Sequence, residues 1–252
     1  MTFLVDTFED KITKLNKRIK EANHIVFFGG AGVSTASGIP DFRSKNGLYN
    51  TKDAQFDLYS PEYLLSETCL YQNPEIFYEF YRQKLDCRNI EPNETHYKLV
   101  EMENKGKLAA IITQNIDGLH QKAGSKNVLE IHGTTVKNYC NWCHKNYDSN
   151  YIFETEQLIP KCECGGMIRP AVTLYEEMLP QGEWNAANAE VAMCDLLIVA
   201  GTSLTVYPAN SLLHMVDNDK IILINQSETD WDNKAGMVFH EDMVEVFSRI
   251  EV

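Results

Sequence analysis

No run of about 18 apolar residues occurs in the 252-residue chain, which excludes a helical membrane span. The N-terminus, MTFLVDTFEDKITKLNKRIKEANH, lacks a continuous apolar segment and mixes charges of both signs. It is not expected to be a signal peptide, and a cytoplasmic location is expected instead. Positive charge is scarce: 23 Lys and Arg stand against 36 Asp and Glu, a net charge of −13. That balance argues against nucleic acid as a partner, because no broad basic face is available to neutralise phosphates. A basic peptide is compatible with it. No internal repeat or low-complexity segment occurs. The length suits one large domain with an insertion, or two domains.

A disulfide framework is not signalled either. The seven cysteines are an odd number, and four of them form a spaced pattern: Cys140-Asn141-Trp142-Cys143, 18 residues, then Cys162-Glu163-Cys164. Two close thiolate pairs across a spacer suit tetrahedral zinc. Gly165-Gly166 can supply the turn that the shorter pair needs. Disulfides are disfavoured in a reduced compartment, and a redox C-x-x-C does not fit two pairs so placed. With four cysteines, the adjacent His144 is not needed as a ligand, and the zinc is expected to be structural. Cys69, Cys87 and Cys194 read as small buried hydrophobes.

The stretch that organises the chain runs from His24 to Ser44, HIVFFGGAGVSTASGIPDFRS. Ile25 to Phe28 read as a buried parallel strand. Gly29, Gly30 and Gly32 come next, then small residues. A strand running into a glycine-rich turn and a small-residue helix start is a layout that cradles phosphate through backbone N–H groups and the helix N-terminus. The third glycine of G-x-G-x-x-G is missing, because Thr35 stands in its place, and no acidic residue is obvious about 20 residues on. A tight strand–helix turn is the alternative reading.

Around this stretch, Phe8, Ile12, Leu15 and Ile19 predict an amphipathic helix over 7–22. Residues after Arg43 loosen into a stretch that reads as a mobile lid. Ser60-Pro61-Glu62 and Asn73-Pro74-Glu75 each read as a helix start, with a capping residue before Pro. The second helix carries Ile76, Phe77, Phe80 and Tyr81. Another helix begins at 91–96, where His96 reads as a structural, hydrogen-bonded histidine. Leu108–Thr113 is a strand that ends in Gln114, Asn115, Ile116 and Asp117. Polar groups at the carboxyl end of such a strand sit where open α/β sheets bind ligands. An Asx-turn accounts for Asn115 or Asp117 singly, but poorly for the group. Val128–Ile131 is a strand leading to His132-Gly133, and His132 is a general-base candidate. A helix over 183–193, a strand over 195–200 ending in Gly201-Thr202-Ser203, a strand over 220–224 ending in Asn225-Gln226, and a closing helix over 243–250 complete the chain.

Three of these motifs together resemble the sirtuins, NAD-dependent protein deacylases, in their bacterial type. They are Gly30-Ala31-Gly32-Val33-Ser34 with Ser37-Gly38-Ile39-Pro40-Asp41-Phe42-Arg43-Ser44; Thr113-Gln114-Asn115-Ile116-Asp117-Gly118-Leu119-His120; and Glu130-Ile131-His132-Gly133. A fourth segment, Arg169 to Pro180, is similar to R-P-D-V-V-W-F-G-E-x-L-P but carries Ala171, Thr173, Leu174, Tyr175 and Glu176 in place of Asp, Val, Trp, Phe and Gly. The resemblance spans about residues 24 to 226.

The alternation of strands, helices and glycine turns predicts a doubly wound, Rossmann-like α/β domain over 1–44, 95–136 and 170–252. A smaller helical and zinc-binding module is expected over 45–94 and 137–169. The resemblance implies NAD as co-substrate and an acyl-lysine protein or peptide as partner, bound in the cleft between the two. It implies attack of the acyl oxygen on the nicotinamide ribose, loss of nicotinamide, and transfer of the acyl group to the sugar. His132 would be the base, Asn115 would orient the ribose or a water, and Asp117 with Ile116 would hold the nicotinamide carboxamide under Phe42. Gly30, Ala31, Gly32, Thr35, Asp41, Arg43, Gln114, Gly201, Thr202, Ser203, Asn225 and Met243 would complete the NAD site. Val172, Leu174, Tyr175 and Glu176 would meet the peptide, and Tyr78 and Tyr81 would line the acyl pocket. A monomer is expected. The rival readings are a protein ADP-ribosyltransferase, a non-catalytic NAD-sensing or zinc-ribbon module, and a hydride-transferring dehydrogenase; the retained His132 and Asn115–Asp117 pair disfavour the first two, and the broken glycine motif the third.

Overall fold

The computed structural model describes residues 6–42, 47–48 and 55–252. Arg43 and most of the expected lid lie outside the described residues. Helix α1 (Phe8–Glu21) opens with a capping box, in which the Thr7 hydroxyl accepts from Asp10 N and the Asp10 carboxylate accepts from Thr7 N. Its Ile12, Leu15 and Ile19 form one buried stripe. Strand β1 (Ile25–Gly29) is buried throughout. It does not run into the expected α-helix start. Two short 3₁₀ turns, Ala31–Val33 and Thr35–Ser37, stand there instead.

Helices α2 (Pro61–Leu64), α3 (Glu67–Gln72) and α4 (Pro74–Lys84) come next. Ser60 caps α2 as expected, its hydroxyl accepting from Tyr63 N. Asn73 stands at the cap position of α4 without a side-chain capping bond; its amide nitrogen donates to the Tyr63 hydroxyl. Helix α3 is not anticipated by the sequence reading; Ser66 caps it. The chain continues through α5 (Glu94–Asn104), β2 (Leu108–Thr113), α6 (Leu119–Ala123), β3 (Val128–Glu130), β4 (Gly133–Cys140), β5 (Asn146–Asp148), α7 (Ser149–Glu154), β6 (Ile168–Val172), α8 (Gln181–Met193), β7 (Leu196–Ala200), β8 (Ile221–Ile224), β9 (Met237–Phe239) and α9 (Met243–Ser248).

Six strands form one parallel sheet in the order β3-β2-β1-β7-β8-β9. This is the doubly wound, Rossmann-like arrangement, and the order reverses direction between β1 and β7. Side chains alternate across it. Phe27, Ile111, Ile198 and Ile222 pack under α1, α5 and α9, with Leu15, Leu99 and Phe247. Val26, Phe28, Ile112, Val199 and Leu223 pack on the other face, with Val191 of α8 and Leu212 and Leu213. A second sheet, antiparallel and ordered β5-β4-β6, carries the cysteine cluster. The smaller module therefore contains a sheet as well as the expected helices. Its core joins Cys69, Leu70, Phe77, Tyr78 and Tyr81 to Ile152, Ile168 and Leu174.

Candidate active site at the sheet switch point

A crevice outside the carboxyl ends of β1 and β7 is where a sheet of this order binds its ligand. A cleft of about 940 Å³ opens there, at the upper end of the ~300–1,000 Å³ usual for ligand sites. Two backbone turns make its floor. Gly30 N donates to Ala200 O, and Gly32 N donates to Gly201 O. A Cβ on Gly32 would lie 2.7 Å from Gly201 Cα. The glycines thus let the two turns pack backbone on backbone, and these two N–H groups are engaged inside the protein. Asn93 fastens the turn to the start of α5, its amide donating to Val33 O at 2.8 Å and to Ser37 Oγ at 3.0 Å. Gln114 joins the turns after β2 and β7 by donating to Thr202 Oγ1 at 2.9 Å.

His132 lies just beyond β3 and lines the cleft. Its Nδ1 is 3.0 Å from Gln114 O. A carbonyl can only accept, so Nδ1 carries the proton and Nε2 keeps its lone pair. Burial lowers the imidazole pKa, opposed by the bond to Gln114 O. The peptide after it is held close: His132 O accepts from Thr173 N. Gly133 adopts φ +73°, and a Cβ there would sit 2.1 Å from Ala171 O, so only glycine passes.

Beside it, the buried Asn115 and Ser34 and the half-buried Asp117 form a hydrogen-bonded chain. Asn115 Nδ2 donates to Ser34 Oγ at 3.0 Å, and Ser34 Oγ donates to Asp117 Oδ2 at 2.7 Å. Leu119 N donates to Asp117 Oδ1 at 2.9 Å. Burial pushes the Asp117 carboxyl up, while the Leu119 N–H and the Ser34 hydroxyl pull it down. Ser34 is the member the sequence reading left without a role. It stands in the first quoted motif, but its partners lie 81 and 83 residues away.

The main cleft is lined by Gly30, Ala31, Gly32, Thr35, Asp41, Phe42, Gln114, Asn115, Ile116, His132, Val172, Leu174, Tyr175, Glu176, Gly201, Thr202, Ser203, Asn225 and Met243. Each is a residue expected to bind NAD or peptide. Asp117 lies in an adjoining smaller cavity, shared with Ala31, Phe42, Asn115 and Ile116. Tyr78 and Tyr81 are corrected: both are fully buried in the core of the smaller module and line neither cavity. The Tyr78 hydroxyl donates to Ile168 O at 2.8 Å. Leu85, one turn beyond Tyr81, reaches both cavities instead. The cleft also takes in Gln226, next to the expected Asn225, and Trp184, Val206, Tyr207, Glu228 and Asp242, which carry no sequence expectation; they come from the start of α8, from the segments after β7 and β8, and from the start of α9.

The four cysteines of the spaced pattern converge, their sulfurs all within 4.8 Å of one another. Cys140 and Cys164 sulfurs are 3.5 Å apart, and those of Cys143 and Cys162 3.6 Å. Tetrahedral thiolates at a Zn–S distance of about 2.3 Å would stand about 3.8 Å apart, so the donor set fits zinc. Gly165 N donates to Cys162 O and Cys162 N to Gly166 O, which closes the expected turn. Tyr147 donates to the Cys162 sulfur at 3.0 Å. Four thiolates close a tetrahedral shell and leave no open position for a water or substrate, and none of the four lines the cleft, so the cluster fits a structural metal.

Fold and site together define a dinucleotide-binding α/β protein with a four-cysteine module. The Sir2 family model matches residues 30–208, and the chain belongs to that family. It is 50% identical over 242 residues to an NAD-dependent protein deacetylase of Clostridium acetobutylicum, covering 96% of this chain and 98% of the relative. A deacetylase of the same description from Clostridium perfringens is 48% identical over 244 residues, covering 96% and 99%. Among solved structures, a Sir2 variant with deacetylated p53 peptide and 3′-O-acetyl ADP ribose superposes with a TM-score of 0.87 at 36% identity, covering 95% of this chain and 96% of that one. Sir2 bound to acetylated peptide gives 0.83 at 33% identity, with the same coverage.

Proposed function

We propose that the protein is an NAD-dependent protein-lysine deacetylase. Its substrates are an acetyl-lysine protein or peptide and NAD; its products are nicotinamide, free lysine and O-acetyl-ADP-ribose. The observation that carries the reading is His132 on the cleft wall with Nδ1 committed to Gln114 O, beside the Asn115–Ser34–Asp117 chain. NAD supplies the leaving nicotinamide and the sugar hydroxyl that accepts the acetyl group.

The chain's own groups divide the remaining work. His132 Nε2 takes a proton from a ribose hydroxyl. Asp117 and Ile116 receive the carboxamide in the smaller cavity, where Ser34 fixes both the Asp117 carboxylate and the Asn115 amide. Phe42, shared by both cavities, excludes water between them. Val172 to Glu176 form the edge along which an extended peptide lies. Residues 1–44, 95–136 and 170–252 act as the NAD-binding body, with 45–94 and 137–169 as the smaller module. A cytoplasmic monomer that binds neither nucleic acid nor membrane completes the proposal. No helix among the described residues is long and apolar enough to cross a membrane.

The test is incubation with NAD and an acetyl-lysine peptide, then mass analysis. Free lysine peptide with O-acetyl-ADP-ribose is the expected outcome. A peptide or protein that keeps the ADP-ribose would show transferase chemistry instead, and no NAD consumption would overturn the reading.

A further inference from the structure

Glu176 stands where the similar segment of the family pattern has glycine, and it keeps a glycine-like backbone. Its φ is +78°, one of three positive values at non-glycine residues among the described residues. An L side chain is strained there, so something must hold it. Its Oε2 accepts from Thr68 N at 2.9 Å and from Thr68 Oγ1 at 2.7 Å, across 108 residues of chain. The neighbouring backbone docks on the same corner. Tyr175 N donates to Leu65 O at 3.0 Å, and Glu67 N donates to Tyr175 O at 3.1 Å. Four bonds therefore fasten the cleft edge at Tyr175 and Glu176 to the junction of α2 and α3. Both residues also line the cleft.

We propose that Glu176 is a positioning residue for the acyl-lysine peptide: its carboxylate clamps the cleft edge to α3, so that the edge already holds its turn when the peptide arrives. The inference rests on the deacetylase reading, with Val172 to Glu176 as the peptide edge. An edge ordered before binding costs the complex less ordering entropy, and the benefit appears in peptide affinity. The NAD side of the cleft, around Gly32, Thr202 and Asn225, makes none of the four bonds.

The test titrates a fluorescein-labelled acetyl-lysine peptide by anisotropy, with NAD binding measured by calorimetry on the same preparations. Glu176→Ala should weaken peptide binding about three- to tenfold, the range of one or two lost partly solvated hydrogen bonds. Thr68→Val should weaken it in the same direction. Glu176→Gly should weaken it as well, although glycine relaxes the backbone, so strain and clamping are separated. Glu176→Gln keeps an acceptor oxygen and should restore most of the affinity. NAD affinity should be unchanged throughout. Peptide Kd values of the Ala and Gly variants within twofold of the unmutated protein would overturn the inference alone, as would an equal loss of NAD affinity. Failure of the unmutated protein to bind the peptide while binding NAD would overturn the deacetylase reading together with it.

Discussion

His96 and His120 lie together in the core, ring centroids 4.8 Å apart and both buried. His96 Nδ1 accepts from Asn93 N at 3.2 Å, but its Nε2 and both nitrogens of His120 have no hydrogen-bond partner among the described residues. Burial pushes His96 down to about 4; burial, and then the neighbouring His96, push His120 down to about 3. The unfolded chain would titrate both near 6.5. Each histidine is thus neutral in the folded state where the unfolded state has already bound its proton. Stability contributed by these lowered groups is present above about pH 6.5 and is lost as pH falls toward the folded values. Between about pH 7.5 and pH 5, each should lose about 2 kcal/mol, or about 4 kcal/mol for the pair. The loss depends little on the folded values, because pH 5 lies about a unit or more above both.

The perturbation is His120→Leu, which removes one imidazole and strands no partner. His96 is the poorer choice, since its ring completes the cap of α5. Urea unfolding at both pH values, on equally zinc-loaded protein, should show the unmutated chain losing about 2 kcal/mol more than the variant. Comparing the two proteins cancels contributions from other carboxylates and from the cysteine cluster. Equal losses would refute the reasoning, because His120 would then take up its proton in the folded state near the ordinary pH.

Four further outcomes are expected. Cys140→Ser should lose the single zinc per chain and lower the melting temperature, since metal binding there is part of the folding energy; near-stoichiometric zinc in the variant by metal analysis would contradict this. His132→Ala should slow deacetylation by about 10²–10⁴-fold while NAD still binds and labelled nicotinamide still exchanges. The acid limb of the unmutated kcat/KM profile should fall below the ordinary histidine pKa of about 6.5, because burial lowers that of His132 and activity is lost as pH falls through it. Acetyl peptides should be turned over far better than succinyl peptides: no Lys or Arg among the described residues lines the main cleft, and Arg82 is held by Ile152 O, Leu158 O and Gln157 O. Comparable kcat/KM on the two peptides would show that a cation reaches the acyl carboxylate.

Much of the frame is legible in the residues themselves. The runs at Ile25–Phe28, Leu108–Thr113, Leu196–Ala200 and Ile221–Ile224 are short, apolar and bounded by polar or glycine residues, and each becomes a strand of the parallel sheet. A strand buried on both faces needs that composition wherever it sits, so the signal is local. Helix α1 is similarly announced by its spacing, and the zinc cluster by its cysteines, because ligand type and interval are properties of the chain alone. Strand β9, with three residues of which two are half-buried, carries no such signal; it forms because β8 offers a parallel edge. The short strands flanking the cysteines exist only through cross-strand pairing.

The site divides in the same way. Its residue types are written in the sequence, down to His132 and the Asn115–Asp117 pair, and the matching motifs mark them. What they do to one another was decided by the fold. The glycines of the first turn look like a phosphate cradle in sequence, yet Gly30 and Gly32 donate to Ala200 O and Gly201 O, because parallel pairing of β1 with β7 brings the two turns into contact. Only that pairing, with β2 on the other side, sets Ser34 between Asn115 and Asp117. Tyr78 and Tyr81 share a helical spacing suited to a pocket wall, but α4 turns that face into the core of the smaller module and leaves Leu85 at the cleft. Spacing along a helix determines which side chains share a face. Which way that face looks depends on elements packed against it from far along the chain, and that is settled only when the tertiary structure forms.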